Sequence, residues 1–237
     1  MRTFFNKAWW LAPTAGLLAS GSTRVWAQSF LDVYDNLGSA PTYGYSSSIA
    51  TSNYGGLLSL KQGGVLGSVS FSLYNSSVSG GNIVSGTMTL SFYDGSGYAG
   101  GSIAGLPLLG NVAVPVDFSS KPLQPGTFAI FDSGNISSQS ISLSPTILVT
   151  QRFQMISGTS TRYGIASGSS AAIGSPSGTY FLSNSQNDPG LYTGTSGRAV
   201  NPYYNLTVVP EPSTYAAMAG LALASWALWR NKARSQA

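Results

Sequence analysis

The sequence predicts an all-β fold, an antiparallel β-sandwich of jelly-roll-like form, followed by one C-terminal transmembrane helix. Three observations carry this reading. Apolar residues alternate with small polar ones through most of residues 28–209. Clusters of Gly, Asn, Asp, Ser and Pro divide that stretch at short intervals. Near the C-terminus, a charge-free apolar run is closed by basic residues.

Successive side chains on a strand point to opposite faces, so a period of two marks a half-buried strand. Val69, Phe71 and Leu73 alternate with Ser68, Ser70 and Ser72. Met88, Leu90 and Phe92 alternate with Thr87, Thr89 and Ser91. Val112, Val114, Val116 and Phe118 alternate with Ala113, Pro115 and Asp117. Further strands are expected at 30–34, 57–60, 127–131, 140–143, 147–156, 179–183 and 203–208. Turn-forming clusters at 75–82, 94–101, 121–126, 157–162 and 184–190 separate them. Many short strands at this spacing favour an antiparallel sandwich, and a jelly roll among the sandwiches. Segment 147–156 opens with Ile-Leu-Val, which breaks the alternation. A continuous apolar run suits a strand covered on both faces, so this one is expected near the middle of a sheet. No amphipathic helix is visible before residue 212.

The two ends read differently from the middle. Arg2 and Lys7 precede the apolar run 8–19, and Val25-Trp26-Ala27 forms a small-x-small-like site. These are the parts of a secretory signal peptide, and the apolar run is too short to span a bilayer. Residues 1–27 are therefore read as the signal, with cleavage between Ala27 and Gln28. At the other end, Val208-Val209-Pro210-Glu211-Pro212-Ser213-Thr214 leads into an apolar stretch that ends at Trp229. Residues 212–229 carry no charge. As a helix this run would be about 27 Å long, close to the hydrocarbon thickness of a bilayer. Arg230, Lys232 and Arg234 follow at once, and basic residues stay on the cytoplasmic side. A cleaved N-terminal signal also leaves the middle outside, so the two topology signals agree.

Three elements in order, Pro210-Glu211-Pro212, a short apolar helix at 213–229 and a basic tail at 230–237, resemble the PEP-CTERM sorting domain of Gram-negative bacteria. The resemblance covers residues 208–237 and leaves the middle, 28–207, as the exported domain. It implies partners in the secretion machinery and in exosortase, a membrane-embedded cysteine transpeptidase-like enzyme. It implies an inner-membrane-anchored precursor that ends at the cell surface or in the exopolysaccharide matrix. The residues alone also account for the motif's accessibility. Each Pro fixes φ, lacks an N–H and pushes its predecessor toward extended geometry. The segment can neither continue a strand ladder nor enter the helix.

Composition excludes much chemistry. The chain has no Cys and no His, which removes disulfides, thiolate or imidazole metal sites, and Ser-His-Asp or Cys-His catalysis. Charged residues are 8% of the chain, against about 25% in an average domain. The formal charge of +4 belongs to the ends. Between residues 28 and 209, Lys61, Lys121, Arg152, Arg162 and Arg198 are balanced by Asp32, Asp35, Asp94, Asp117, Asp132 and Asp188. No basic patch remains for nucleic acid. Asp32 and Asp35 are the one close carboxylate pair, and their odd spacing predicts opposite faces of a strand. Gly95-Ser-Gly97-Tyr-Ala-Gly100 matches a dinucleotide fingerprint in letters, but Gly101, Gly105 and Pro107 stand where a helix is needed. Asn75, Asn135 and Asn205 open N-glycosylation sequons, which are coincidental in so Ser-rich a chain. Neither a metal nor a cofactor is expected.

Aromatics give the one positive hint of a ligand. Tyr43, Tyr45 and Tyr54 crowd a Gly/Ser-rich stretch, and Tyr203-Tyr204 precedes the last strand. Exposed Tyr can stack on sugar rings, whereas strand Tyr packs in the core. The reading is a non-enzymatic surface or matrix protein. The alternative is a carbohydrate-binding module for exopolysaccharide, with Tyr43 and Tyr45 as stacking residues. An Asp-dependent hydrolase is the third and weakest reading.

Overall fold

The structure, a computed structural model, describes residues 30–38, 46–48, 53–77, 80–98, 103, 105–168, 171–183, 191–193, 201–209 and 220–226. The strands are β1 (Leu31–Asp35), β2 (Ser46–Ser48), β3 (Asn53–Ser59), β4 (Gly64–Asn75), β5 (Ile83–Asp94), β6 (Leu108–Asp117), β7 (Phe128–Asp132), β8 (Ser142–Leu143), β9 (Thr146–Gly158), β10 (Arg162–Gly164), β11 (Ser167–Gly168), β12 (Ser175–Ser183), β13 (Leu191–Thr193), β14 (Asn201–Pro202) and β15 (Tyr204–Val209). All of their pairings are antiparallel.

Strand β4 organises the first sheet. Along one edge it pairs with β15 and then, at Tyr74 and Asn75, with β10. Along the other edge it pairs with β8 at Gly64 and Val65 and with β7 from Ser70 to Tyr74. β1 lies outside β15, and β2 lies outside β10. The second sheet runs β13-β12-β3-β9-β5-β6, and β11 with β14 forms a separate short pair.

The inner faces of the two sheets share one apolar cluster. Val69, Phe71 and Leu73 of β4 and Leu206 and Val208 of β15 enter it from the first sheet. Met88, Leu90 and Phe92 of β5, Val112, Val114 and Val116 of β6, and Val149 and Phe153 of β9 enter from the second. These are the residues of the period-two pattern. Each large side chain so buried contributes about 1.5–3 kcal/mol relative to exposure.

Strand β9 lies between β3 and β5, as its apolar run predicts. Ile147 and Val149 join the main cluster, while Leu148 faces the other way and packs with Ile103, Leu57, Tyr93, Tyr98 and Leu106. The loop after β5 thus folds back over the outer face of the second sheet. Gly95 permits this close approach: a Cβ there would come within 2.7 Å of Leu57 Cδ1 and 3.0 Å of the Ile147 carbonyl carbon. Gly95 thus serves packing.

One sequence expectation is overturned in β1. The register shifts between Asp32 and Tyr34, so Asp32 lies opposite Thr207 and Asp35 opposite Asn205. Residues paired directly across a ladder share a face, so the bulge brings both aspartates to one side. Val33 and Tyr34 are both buried as a result.

At the C-terminus, the described helix covers 220–226 and lies within the predicted span 213–229. Among the described residues, no helix is long and apolar enough to cross a membrane. The rest of the predicted span lies outside the described residues.

The core carries buried tyrosines, and these set the pH response. Burial pushes the hydroxyls of Tyr34, Tyr163 and Tyr204 well above the ordinary value for tyrosine. The Asp35 charge adds to this at Tyr34, and the neighbouring Tyr34 and Tyr163 add to it at Tyr204. An unfolded tyrosine ionises near pH 10. These groups therefore favour the fold fully below about pH 10, and that contribution is lost as pH rises beyond it. Each costs about 1.4 kcal/mol per pH unit, so the three together cost about 4. With no His in the chain, stability should be nearly flat between about pH 6 and 8 and fall steeply above about pH 10. Guanidinium unfolding at stepped pH checks this, and a midpoint unchanged to about pH 12 would contradict it.

Candidate functional site

The sorting segment leaves the domain from the middle of a sheet. β15 is held between β1 and β4, with Val208 opposite both Leu31 and Leu66, and Val209 opposite Val65. Val208 is fully buried. The Ser68 and Thr207 hydroxyls hydrogen-bond across the ladder at 2.8 Å. Pro210 follows Val209 directly, and a residue without an N–H cannot donate the next ladder bond. The last residue of β15 and the first residue of the motif are thus adjacent in the chain.

The pairing of β1 with β15 also brings the start of β1 to this end. Leu31, opposite Val208, lies three positions after Gln28 in the chain. The start of β1 and the end of β15 lie at the same end of the same sheet. Ala27, Gln28, Pro210, Glu211, Pro212, Arg230, Lys232 and Arg234 themselves lie outside the described residues, as do Tyr43 and Tyr45.

The remaining aromatic candidates are core residues. Tyr54, Tyr203 and Tyr204 are buried. Tyr54 Oη donates to the Tyr163 carbonyl at 2.9 Å, and the two rings meet edge to face with centroids 5.0 Å apart. Tyr203 Oη donates to the Leu37 carbonyl.

Five aspartates and their partners form turn or cross-strand hydrogen bonds. Asp94 accepts from the Ser96 N–H and the Ser144 hydroxyl, bonds that hold its carboxyl below the usual range. Asp117 accepts from the Ser119 N–H, with the same effect. Asp132 accepts from the Gly134 N–H and the Ser70 hydroxyl. Asp35 accepts from the Leu37 N–H, and Asp32 accepts from Asn205 Nδ2. The bulge places Asp32 and Asp35 on one face, yet each is used by a turn or a cross-strand bond. Among the described residues, no group of three or more Asp or Glu side chains could hold a metal ion. EDTA is expected to leave the melting temperature unchanged, and a fall of more than a few degrees in a calorimeter would contradict this.

One residue has a structural role that its sequence context hides. Asn75 opens a sequon but is fully buried at the end of β4. Its Nδ2 donates to the carbonyls of Gly81 at 2.7 Å and Leu123 at 2.8 Å. Its Oδ1 accepts from the Ser160 hydroxyl at 2.9 Å and the Ser77 N–H at 3.2 Å. Three loops are tied to one amide. The only sequence signal was an Asn at the end of an apolar-alternating run. Of the other sequons, Asn135 is exposed and accepts from the Ser137 hydroxyl, and Asn205 holds Asp32.

Residues 208–233 match the family model of the PEP-CTERM protein-sorting motif. No curated protein and no solved structure matches the chain.

Proposed function

We propose, from a chain that carries a PEP-CTERM protein-sorting motif, that it is a non-enzymatic surface or extracellular-matrix protein. Its precursor is exported by residues 1–27, held in the inner membrane by a helix at 213–229, and handed to exosortase at Pro210-Glu211-Pro212. The observation that carries this reading is the match at 208–233, beginning on the last two residues of β15. A folded domain ends where the motif starts, so the fold and the tail are separable in function. We read the exported domain as a jelly roll. The orders β1-β15-β4-β7 and β3-β9-β5-β6 support this, with β10, β2, β12 and β13 as additions. The engagement of each described aspartate in turns or ladders supports a scaffold over an Asp-dependent hydrolase.

Placement in an exopolysaccharide matrix belongs to the same reading. Fractionation of hosts with and without exosortase tests it. The chain should accumulate in the inner membrane of the enzyme-deficient host and reach the surface or matrix in the other. The same distribution in both would refute sorting through the tail. A glycan array probed with the exported protein and its Tyr43→Ala/Tyr45→Ala variant tests whether a carbohydrate is bound.

A further inference from the structure

The tail-bearing chain has little freedom to choose which end faces the membrane. β15 ends at Val209, and the apolar run begins about Tyr215. Residues 210–214, even fully extended, reach about 17 Å. The elements around Val209 are fixed by pairing. Gly64 and Val65 of β4 lie beside it and are paired on their other side with Leu143 and Ser142 of β8. Leu60 donates its N–H to the Pro145 carbonyl, and Lys61 follows on the surface. Asp94 lies opposite Ile147, and Leu108 lies opposite the adjacent Tyr93. Leu108 is 51% exposed, and Phe30, next to Leu31, is 41% exposed. This end presents Lys61, Asp94, Leu108 and Phe30, while the Asn75 end carries Lys121, Arg162, Phe128 and the 74% exposed Ile156, so the reach from Val209, not surface composition, selects the end that meets the membrane. The opposite end is marked by Asn75, which exchanges backbone hydrogen bonds with Gly126 and Thr127. β4 connects the two ends with 12 residues, a rise of about 36 Å.

We propose that the anchored precursor rests on the lipid surface with its Val209 end, Lys61, Leu108 and Phe30 at the contact, and holds its Asn75 end outward. The inference deepens the reading of residues 213–229 as an anchor and depends on it. The occupant is the lipid surface in which the anchor sits. The short reach from Val209 brings that surface to the rim, where the exposed Phe30 and Leu108 suit its interface. The turn at 118–127 and residues 159–161 face away and are the part of the domain open to partners.

The absence of Cys makes the test direct. Lys61→Cys and Lys121→Cys variants are purified as tail-bearing chains from an exosortase-free host. Both positions are exposed, and Lys61 and Lys121 donate their backbone N–H groups to the Val33 and Phe118 carbonyls, bonds that a Cys retains. Each is labelled with a fluorophore and reconstituted into phosphatidylethanolamine–phosphatidylglycerol vesicles containing a shallow doxyl-lipid quencher. The label at 61 should lose most of its emission, and the label at 121 should keep it. Equal quenching at both sites, or none at either, in protein that resists alkaline carbonate extraction would overturn the orientation alone. Extraction of the protein by carbonate would overturn the anchor, and the orientation with it.

Discussion

Glu211→Ala is expected to leave the sorting tail attached and the protein in the inner membrane, with the exported domain folded as before. Glu211 is the only glutamate in the chain and the only charge between Arg198 and Arg230. Pro210 and Pro212 flank it, so the backbone around it offers few donors, and the carboxylate is the chief polar feature an enzyme could read. Losing one partner of a desolvated, hydrogen-bonded charge pair costs about 2–5 kcal/mol, which is about 30-fold or more in processing rate. The ladder of β15 ends at Val209, so the melting temperature should not move. Pulse-chase mass analysis of precursor and product reads the rate. A variant processed as fast as the parent would show that the charge is not recognised.

Asn75→Ala is expected to be the most damaging single change in the exported domain that leaves its apolar core intact. It removes four hydrogen bonds at a fully buried position and takes from the Gly81 carbonyl and the Ser77 N–H the bonds Asn75 gives them, while the Leu123 carbonyl keeps the Ile83 N–H and the Ser160 hydroxyl keeps the Arg162 carbonyl. Each unsatisfied buried group costs about 1–3 kcal/mol, and partial relaxation brings the sum to about 3–5 kcal/mol. For a domain of this size that lowers the melting temperature by about 10 °C. Asn75→Asp should do no better, because it turns a donor into an oxygen facing the carbonyls of Gly81 and Leu123. Denaturant titration of both variants decides this. A loss below about 1 kcal/mol for the alanine variant would mean that the loops are held by other contacts.

The parts of this molecule legible in its sequence are those governed by local physics. Val69-Phe71-Leu73 and Met88-Leu90-Phe92 announce their strands because burial on one face imposes a period of two. Ile147-Leu148-Val149 announces a strand covered on both faces, and the loop holding Ile103 and Leu106 supplies the second cover. The tail is legible because its three elements follow one another along the chain. Long-range pairing was not legible. Arg162–Gly164, Ser167–Gly168 and Asn201–Pro202 are too short to show any period and are strands only because partners lie beside them. The bulge that rotates Asp35 onto the face of Asp32 depends on the register with β15, which no local pattern encodes. The meeting of Leu31 with Val208 joins residues from opposite ends of the chain. The same limit applies to Asn75, whose partners come from three separate loops.

The central claim is that the tail is a temporary anchor read by a sorting enzyme. Intact-mass measurement of the mature protein from its native host tests it most directly. The expected chain begins near Gln28 and ends close to Pro210–Pro212, without Arg230, Lys232 and Arg234. Surface protein that still carries residues 215–237 would contradict it and leave a permanent membrane anchor in its place.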